Sequence, residues 1–350
     1  MKIFSIVGAR PQFIKLAPLS KALAGLHEEF IVHTGQHYDY AMSEKIFMDL
    51  GIRKPDIHLG TGPGTQATQT AEMMVKLEAA MVEKKPDIII VFGDTNSTLA
   101  GVMAASKLNI PVIHIEAGLR SYNRSMPEEV NRIVADHVSK YLFAPTQTAI
   151  DILKKEGLKK NTFFPGDIMV DTMKNNLGIA LEKSTIVNDL KLNNEAFNLL
   201  TLHRNYNVDD TTILGHILKQ LGELGEKIIF PVHPRTRKML ADSISVSPNI
   251  YMTEPVGYLD FIALENSAKR IITDSGGIQK EAYLLKKPCI TLRTETEWVE
   301  TVEEKWNLLV NPTSKNIASK IEAFKPPKKQ KQVFGKNVTK KMVKIINNIQ

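Results

Sequence analysis

Two acids stand where buried strands should end. Asp94 follows the apolar run Ile88–Phe92 and Gly93, and Glu116 follows Val112-Ile113-His114-Ile115 and precedes Gly118 by two residues. Neither has a lysine or arginine directly beside it. A carboxylate without an ionic partner keeps its basicity, which suits a group that takes up and returns a proton. The plainer reading of Asp94 is a cap for a helix starting near Thr95.

Other strand ends carry groups suited to anions. In "VGARPQFIK", Gly8 permits a tight turn, Pro11 suits a first helical turn, and Arg10 and Lys15 add cations where backbone N–H groups already favour anions. In "LLTLHRNYN", His203 and Arg204 directly follow an apolar strand, a pairing that suits a pyrophosphate. His233, in "FPVHPRTRK", repeats the theme. In "RIITDSGGIQKEA", Ser275, Gly276 and Gly277 open a helix to a phosphate, and Glu281 one turn on can accept from two ribose hydroxyls. Each has a bland alternative: a turn with surface cations, a structural histidine, an ordinary strand-to-helix junction. Glu116 could equally hold a ribose or neighbouring backbone. There is no Walker loop and no GxGxxG fingerprint, so no NAD is expected. His33 and His37 lie four apart on a strand-to-loop stretch, and no metal-ligand spacing exists, so no metal is expected.

Strand–helix alternation must position these groups. Strands are expected at Lys2–Val7, Glu29–His33, Asp87–Phe92, Val112–Ile115 and Tyr141–Ala144, with helices at Phe13–Leu26, Thr70–Glu83, Thr95–Lys107 and Pro127–Val138. Beyond "FFPGDIMVDTM" the alternation restarts, with strands at Phe197–Leu202, Ile228–Val232, Ile250–Thr253, Arg270–Thr273, Pro288–Leu292 and Leu308–Val310. A helix from about Asp210 completes the pattern. Short apolar runs bounded by Pro, Gly and Asp imply parallel strands covered on both faces. The class is α/β, two doubly wound halves joined near Gly166–Met169, and a cleft between such halves is a natural ligand site.

Bulk properties agree with an ordinary globular protein. At 350 residues, 43% hydrophobic and 24% charged, the chain can bury two cores. No apolar run reaches the roughly 20 residues that cross a bilayer, and "MKIFSIVGARPQ" reads as a strand, not a signal peptide. A single cysteine, Cys289, expected on a buried strand, fits a reducing cytoplasm. The net charge of +7 comes from eight lysines and no acid between Ala323 and Gln350. Without a nucleic-acid motif beside it, that run reads as a solvated helix face.

The segments "GARPQFIKLAPL", "GDTNSTLAG", "IEAGLRS", "MPEEVNR", "TLHR" and "DSGGIQKEA", in this order from residue 1 to about 311, resemble the non-hydrolysing UDP-N-acetylglucosamine 2-epimerase family. The resemblance implies two Rossmann-like domains in a glycosyltransferase-B arrangement with an interdomain cleft, at 1–168 and 169–336, and a C-terminal helix (337–350) packing back on the first. It implies a homodimer, a UDP-sugar substrate and no cofactor. It implies interconversion of UDP-GlcNAc and UDP-ManNAc through loss of the C2 proton with UDP, then re-addition on the opposite face. By the same resemblance Asp94, Glu116 and Glu128 are acid/base candidates, with His203 beside them at the catalytic centre, and Glu129 is the structural acid. Arg10, Lys15, Arg204, His233, Ser275, Gly276, Gly277 and Glu281 fall around UDP. Phe261 falls near uracil, although core packing explains it nearly as well.

Departures from the family pattern bear on the substrate. "GTRPE" is "GARPQ" here, "HRxEN" is "HRNYN" with Tyr206 for the acid, and "TERPE" is "TEWVE" with Trp298 and Val299 for Arg and Pro. "GQHYD" lacks the arginine that accompanies allosteric activation by substrate, so sigmoidal kinetics are not expected. The changes fall on the sugar and regulatory side. They resemble relatives acting on UDP-2,3-diacetamido-2,3-dideoxy-glucuronate, which is the alternative substrate. A glycosyltransferase or a UDP-sugar-binding module are the other classes that share the fold.

Overall fold

The computed structural model describes residues 1–36, 47–241 and 244–349. The chain divides into two compact units, Met1–Thr172 with Gln332–Gln350, and Met173–Lys331.

In the first unit the chain runs β1 (Lys2–Val7), α1 (Arg10–Leu23), β2 (Glu28–His33), β3 (Ile57–His58), α2 (Gln66–Lys84), β4 (Ile88–Phe92), α3 (Asn96–Lys107), β5 (Val112–Ile115), α4 (Pro127–Val138), β6 (Tyr141–Phe143), α5 (Gln147–Lys155) and β7 (Thr162–Phe163). The strands form one parallel sheet in the order β3-β2-β1-β4-β5-β6-β7. Alternate residues of the central strands bury on opposite faces, so Ile88, Ile90 and Phe92 join one core and Ile89 and Val91 the other. Helix α1 starts three residues earlier than the apolar pattern suggests. Pro11 sits in its first turn, and Gln12 accepts from the N–H groups of Gly8 and Ala9.

Helix α6 (Met169–Lys183) carries the chain across the unit boundary. The second unit continues with α7 (Ile186–Asp189), β8 (Phe197–Thr201), α8 (Asn205–Val208), α9 (Thr211–Gly222), β9 (Lys227–Pro231), α10 (Pro234–Ala241), β10 (Ile250–Thr253), α11 (Tyr258–Ser267), β11 (Arg270–Thr273), α12 (Gly276–Leu284), β12 (Cys289–Thr291), α13 (Val299–Glu303), β13 (Asn307–Leu309) and α14 (Ile317–Ala323). Its parallel sheet has the order β10-β9-β8-β11-β12-β13. Each sheet thus has the Rossmann order, which reverses direction between its first and fourth strands, β1 and β4 in one and β8 and β11 in the other.

Helix α15 (Val338–Asn347) belongs to the first unit, where Val338, Met342 and Ile346 are buried in the core with Phe13 and Leu16 of α1. Its lysines 340, 341 and 344 are exposed. Cys289 is buried on β12, and burial pushes its thiol up to about 12, an unreactive state at neutral pH. Among the described residues no helix is long and apolar enough to cross a membrane.

Candidate active site

In the first unit the candidate residues gather at the carboxyl ends of β1, β4 and β5, around the point where strand order reverses. That is where an open α/β sheet exposes loop ends to a ligand. Gln12, 1% exposed, links two of these ends. Its oxygen accepts from Gly8 N (2.8 Å) and Ala9 N (3.2 Å), while its Nε2 donates to Phe92 O (2.9 Å) and Thr98 Oγ1 (3.1 Å). An ionised glutamate could not donate to the Phe92 carbonyl. This departure from the family pattern is therefore an internal tie between two strand ends.

The expectation that Asp94 and Glu116 lack cationic partners is also overturned. Lys15 Nζ pairs with Glu116 Oε2, and both side chains are 9% exposed. Arg132 Nη2 pairs with Asp94 Oδ2, and its Nη1 reaches Glu129 Oε2 at 3.1 Å. Lys15 lies 101 residues from Glu116 and Arg132 lies 38 from Asp94, so folding alone brings them together. Asp94 does not cap α3. The N-cap is Thr95, which makes no side-chain cap bond. The Asp94 loop is instead locked by Asn131, whose Nδ2 donates to Asp94 O (3.0 Å) and Asn96 Oδ1 (3.1 Å).

Glu116 sits at φ +76°, a left-handed conformation costly for a residue with a side chain. It is held there by the N–H groups of Glu116 and Ala117, which both donate to Phe143 O at 3.1 Å. A Cβ on Gly93 (φ +63°) would lie 3.0 Å from Glu116 Oε2 and 3.2 Å from Lys15 Nζ. The Lys15–Glu116 pair therefore rests on the backbone immediately before Asp94, where a Cβ would press on both charged groups. Glu128 is half-buried in the first turn of α4. Its neighbour Glu129 is fully buried and accepts from Ser121 N, Ser121 Oγ and Tyr122 N, each at 2.9 Å, the structural part expected of it. Arg10 opens α1, half-buried.

In the second unit the organising residue is one the sequence reading passed over. Asp274, fully buried after β11, accepts from the backbone N–H of His203 (3.1 Å) and Arg204 (3.0 Å) and from Asn207 Nδ2 (3.0 Å). His203 Nδ1 lies 2.9 Å from Asp274 Oδ1. Burial alone would raise the Asp274 carboxyl, but the hydrogen bond and charge of His203, then Asn207 and Arg204, hold it below the usual carboxylate range. An ionised Asp274 only accepts, so Nδ1 of His203 carries a proton. The strand-end rule that singled out Asp94 applies equally to Asp274 and was the available signal.

Ser275 is the N-cap of α12, and Gly276 and Gly277 are its first two residues. A Cβ on Gly276 would stand 2.0 Å from Glu297 Oε1, whereas one on Gly277 would find nothing nearer than 3.9 Å. Glu297 Oε2 lies 3.0 Å from Nη1 of fully buried Arg293. Glu281 is buried on α12, with Tyr258 Oη donating at 3.4 Å. His233 is exposed just beyond β9. Phe261, 8% exposed, packs in the core with Leu264, Ile271 and Ala282. Trp298 is 3% exposed, with Lys280 Nζ 4.1 Å from a ring centroid. Tyr206 is 45% exposed, and burial of its hydroxyl raises its pKa despite nearby Arg293 and Arg204.

His37 and the rest of the "HYD" stretch lie outside the described residues. Among the described residues no group of three or more His, Cys, Asp or Glu could hold a metal ion.

The model of the family described as UDP-N-acetylglucosamine 2-epimerase matches residues 22–348. The chain is 48% identical to a UDP-N-acetylglucosamine 2-epimerase homolog of Methanococcus maripaludis, with 100% of each chain covered. It is 45% identical to the UDP-2,3-diacetamido-2,3-dideoxy-D-glucuronate 2-epimerase of Pseudomonas aeruginosa, covering 89% of this chain and 88% of that one. The crystal structure of Methanocaldococcus jannaschii UDP-GlcNAc 2-epimerase in complex with UDP-GlcNAc and UDP superposes with a TM-score of 0.93 at 41% identity, covering 100% of both chains.

Proposed function

The chain belongs to the UDP-N-acetylglucosamine 2-epimerase family, whose members are isomerases, and on that premise we propose that it interconverts UDP-GlcNAc and UDP-ManNAc without hydrolysis. The observation that carries this reading is the pairing of Lys15 with Glu116 over Gly93, directly beside Asp94 and its partner Arg132. It supplies two ionised carboxylates on adjacent strand ends.

The C2–H of a pyranose has no neighbouring carbonyl and is not acidic. That places the driving force on the leaving group. As the C1–O bond breaks, its electron pair goes to the diphosphate and positive charge develops at C1. The C2 proton then becomes acidic enough for a carboxylate to take, and the C1=C2 bond of 2-acetamidoglucal forms. In return, an acid protonates C2 from the opposite face and a diphosphate oxygen closes on C1.

Inversion needs acid groups on two faces, which Asp94, Glu116 and Glu128 supply in this proposal. The departing diphosphate needs donors. We assign these to His203, Arg204, His233 and the Ser275–Gly276–Gly277 helix start, with Arg10 at α1 and Glu281 for the ribose. Phe261 is left to the core. A homodimer and a part in surface-polysaccharide precursor synthesis belong to the same proposal. Incubation with UDP-GlcNAc alone, followed by proton NMR, tests it: UDP-ManNAc is the expected product, and free ManNAc with UDP would contradict it.

One observation favours a second reading. Trp298 and Val299 replace Arg and Pro, and the chain is 45% identical to an enzyme named for UDP-2,3-diacetamido-2,3-dideoxy-D-glucuronate. Comparison of kcat/KM for the two donors decides between them.

A further inference from the structure

We propose that His114 and Asp136 form a clasp that sets Asp94 and Glu116 relative to one another, making both of them positioning residues for the proton transfers above; the inference rests on that reading. His114 lies on β5 with 0% exposure. A polar ring so buried needs partners for both nitrogens. Nε2 is 2.8 Å from Gly93 O, and Nδ1 is 2.7 Å from Asp136 Oδ1.

A carbonyl oxygen only accepts, so Nε2 carries a proton. Asp136, also 0% exposed, accepts at Oδ2 from Gly118 N (3.0 Å) and Arg120 Nη1 (2.7 Å). Burial would raise its carboxyl, but the hydrogen bond and charge of His114, then those of Arg120, hold it below the usual range. Its Oδ1 faces Nδ1 of His114, so each oxygen of the carboxylate is engaged. Behind the pair, Arg120 forks onto Glu156 at 2.9 and 2.6 Å, which anchors the far side.

The groups being held are the point. Gly93 O belongs to the residue before Asp94, and Gly118 N lies two residues beyond Glu116. One ring and one carboxylate thus bind both acid loops, each of which turns through a left-handed residue: Gly93 at +63°, Glu116 at +76°, Gly118 at +85°. Asp136 rides on α4, which also carries Glu128 in its first turn and Arg132, the partner of Asp94. Side chains that merely filled a core would not need a donor aimed at one of these turns and an acceptor aimed at the other.

The test compares His114→Gln and Asp136→Asn with wild type, using UDP-GlcNAc well below the melting temperature. A shift of about 1 Å in reacting groups lowers rate about a hundredfold, so kcat should fall by about that factor with KM within about threefold. A lowered Tm with kcat per folded enzyme unchanged would overturn the proposal. Nitrogen-15 histidine NMR of the wild type reads the clasp whether or not the variants fold. One buried ring with both nitrogens hydrogen-bonded and its N–H slow to exchange with solvent is expected, and a His114 ring with a nitrogen open to solvent would overturn it. A wild type inactive on UDP-sugars would sink the proposed function instead, while the NMR result would still report on the clasp.

Discussion

Nζ of Lys15, on α1, pairs with Oε2 of Glu116, at the end of β5, and both side chains are 9% exposed. The pair keeps Glu116 ionised before substrate arrives and fixes it over Gly93. Removing one partner of a buried pair strands the other's charge, at a cost of about 3–5 kcal/mol. Lys15→Met is therefore expected to lose about that much in urea unfolding. Its kcat/KM should fall at least about a hundredfold, the scale of a lost acid/base group. Glu116→Gln should match it in activity and also lose stability, because the neutral amide leaves the buried Lys15 charge without its counter-ion.

Arg132 joins Asp94 to the buried Glu129 with its two terminal nitrogens. A lysine has the charge but not the fork. Arg132→Lys should keep the fold and lower kcat about tenfold or more with little change in KM. Steady-state kinetics on the folded variant check this, and a change confined to KM would contradict the assignment.

Asp274 contributes to acid sensitivity with a definite sign. Its folded-state pKa is depressed, so its stabilisation is fully present above the pKa of an unfolded aspartate and is lost as pH falls through the lower folded value. Thermal midpoints measured from pH 7 downward should fall below about pH 4. Asp274→Asn should be less stable at neutral pH and show a flatter acid limb. It should also lower kcat, because His203 loses the acceptor that holds its Nδ1 proton.

The two glycines of α12 separate by geometry. A methyl group at Gly276 would sit 2.0 Å from Glu297 Oε1 and force that carboxylate from its place beside Arg293. Gly276→Ala should cost about 1–3 kcal/mol, the range for overpacking, and raise KM for UDP-sugar. Gly277→Ala meets nothing within 3.4 Å and should be neutral, or stabilising by up to about 1 kcal/mol. Thermal melts of the two variants decide the matter.

The strands at the reversal points were legible because apolar runs closed by glycine and aspartate repeat down the chain: Ile88–Phe92 and Arg270–Thr273 fall within a residue of expectation. The two-residue edge strands Ile57–His58 and Thr162–Phe163 were not, since two residues carry no periodicity. The acids were visible at their strand ends, but their cations were not. Lys15 and Arg132 reach them only through tertiary packing, so local sequence read Asp94 and Glu116 as unpaired. The ties of Gln12 were hidden for a related reason: Phe92 and Thr98 lie 80 and 86 residues away, around a strand end that only the sheet brings beside it.

Solvent isotope offers the most direct test. Incubated in D₂O with UDP-GlcNAc and nothing else, the enzyme should place deuterium at C2 of both recovered UDP-sugars, as proton loss from that carbon demands. Retention of protium at C2 after the epimers have equilibrated, or no reaction at all, would contradict the account.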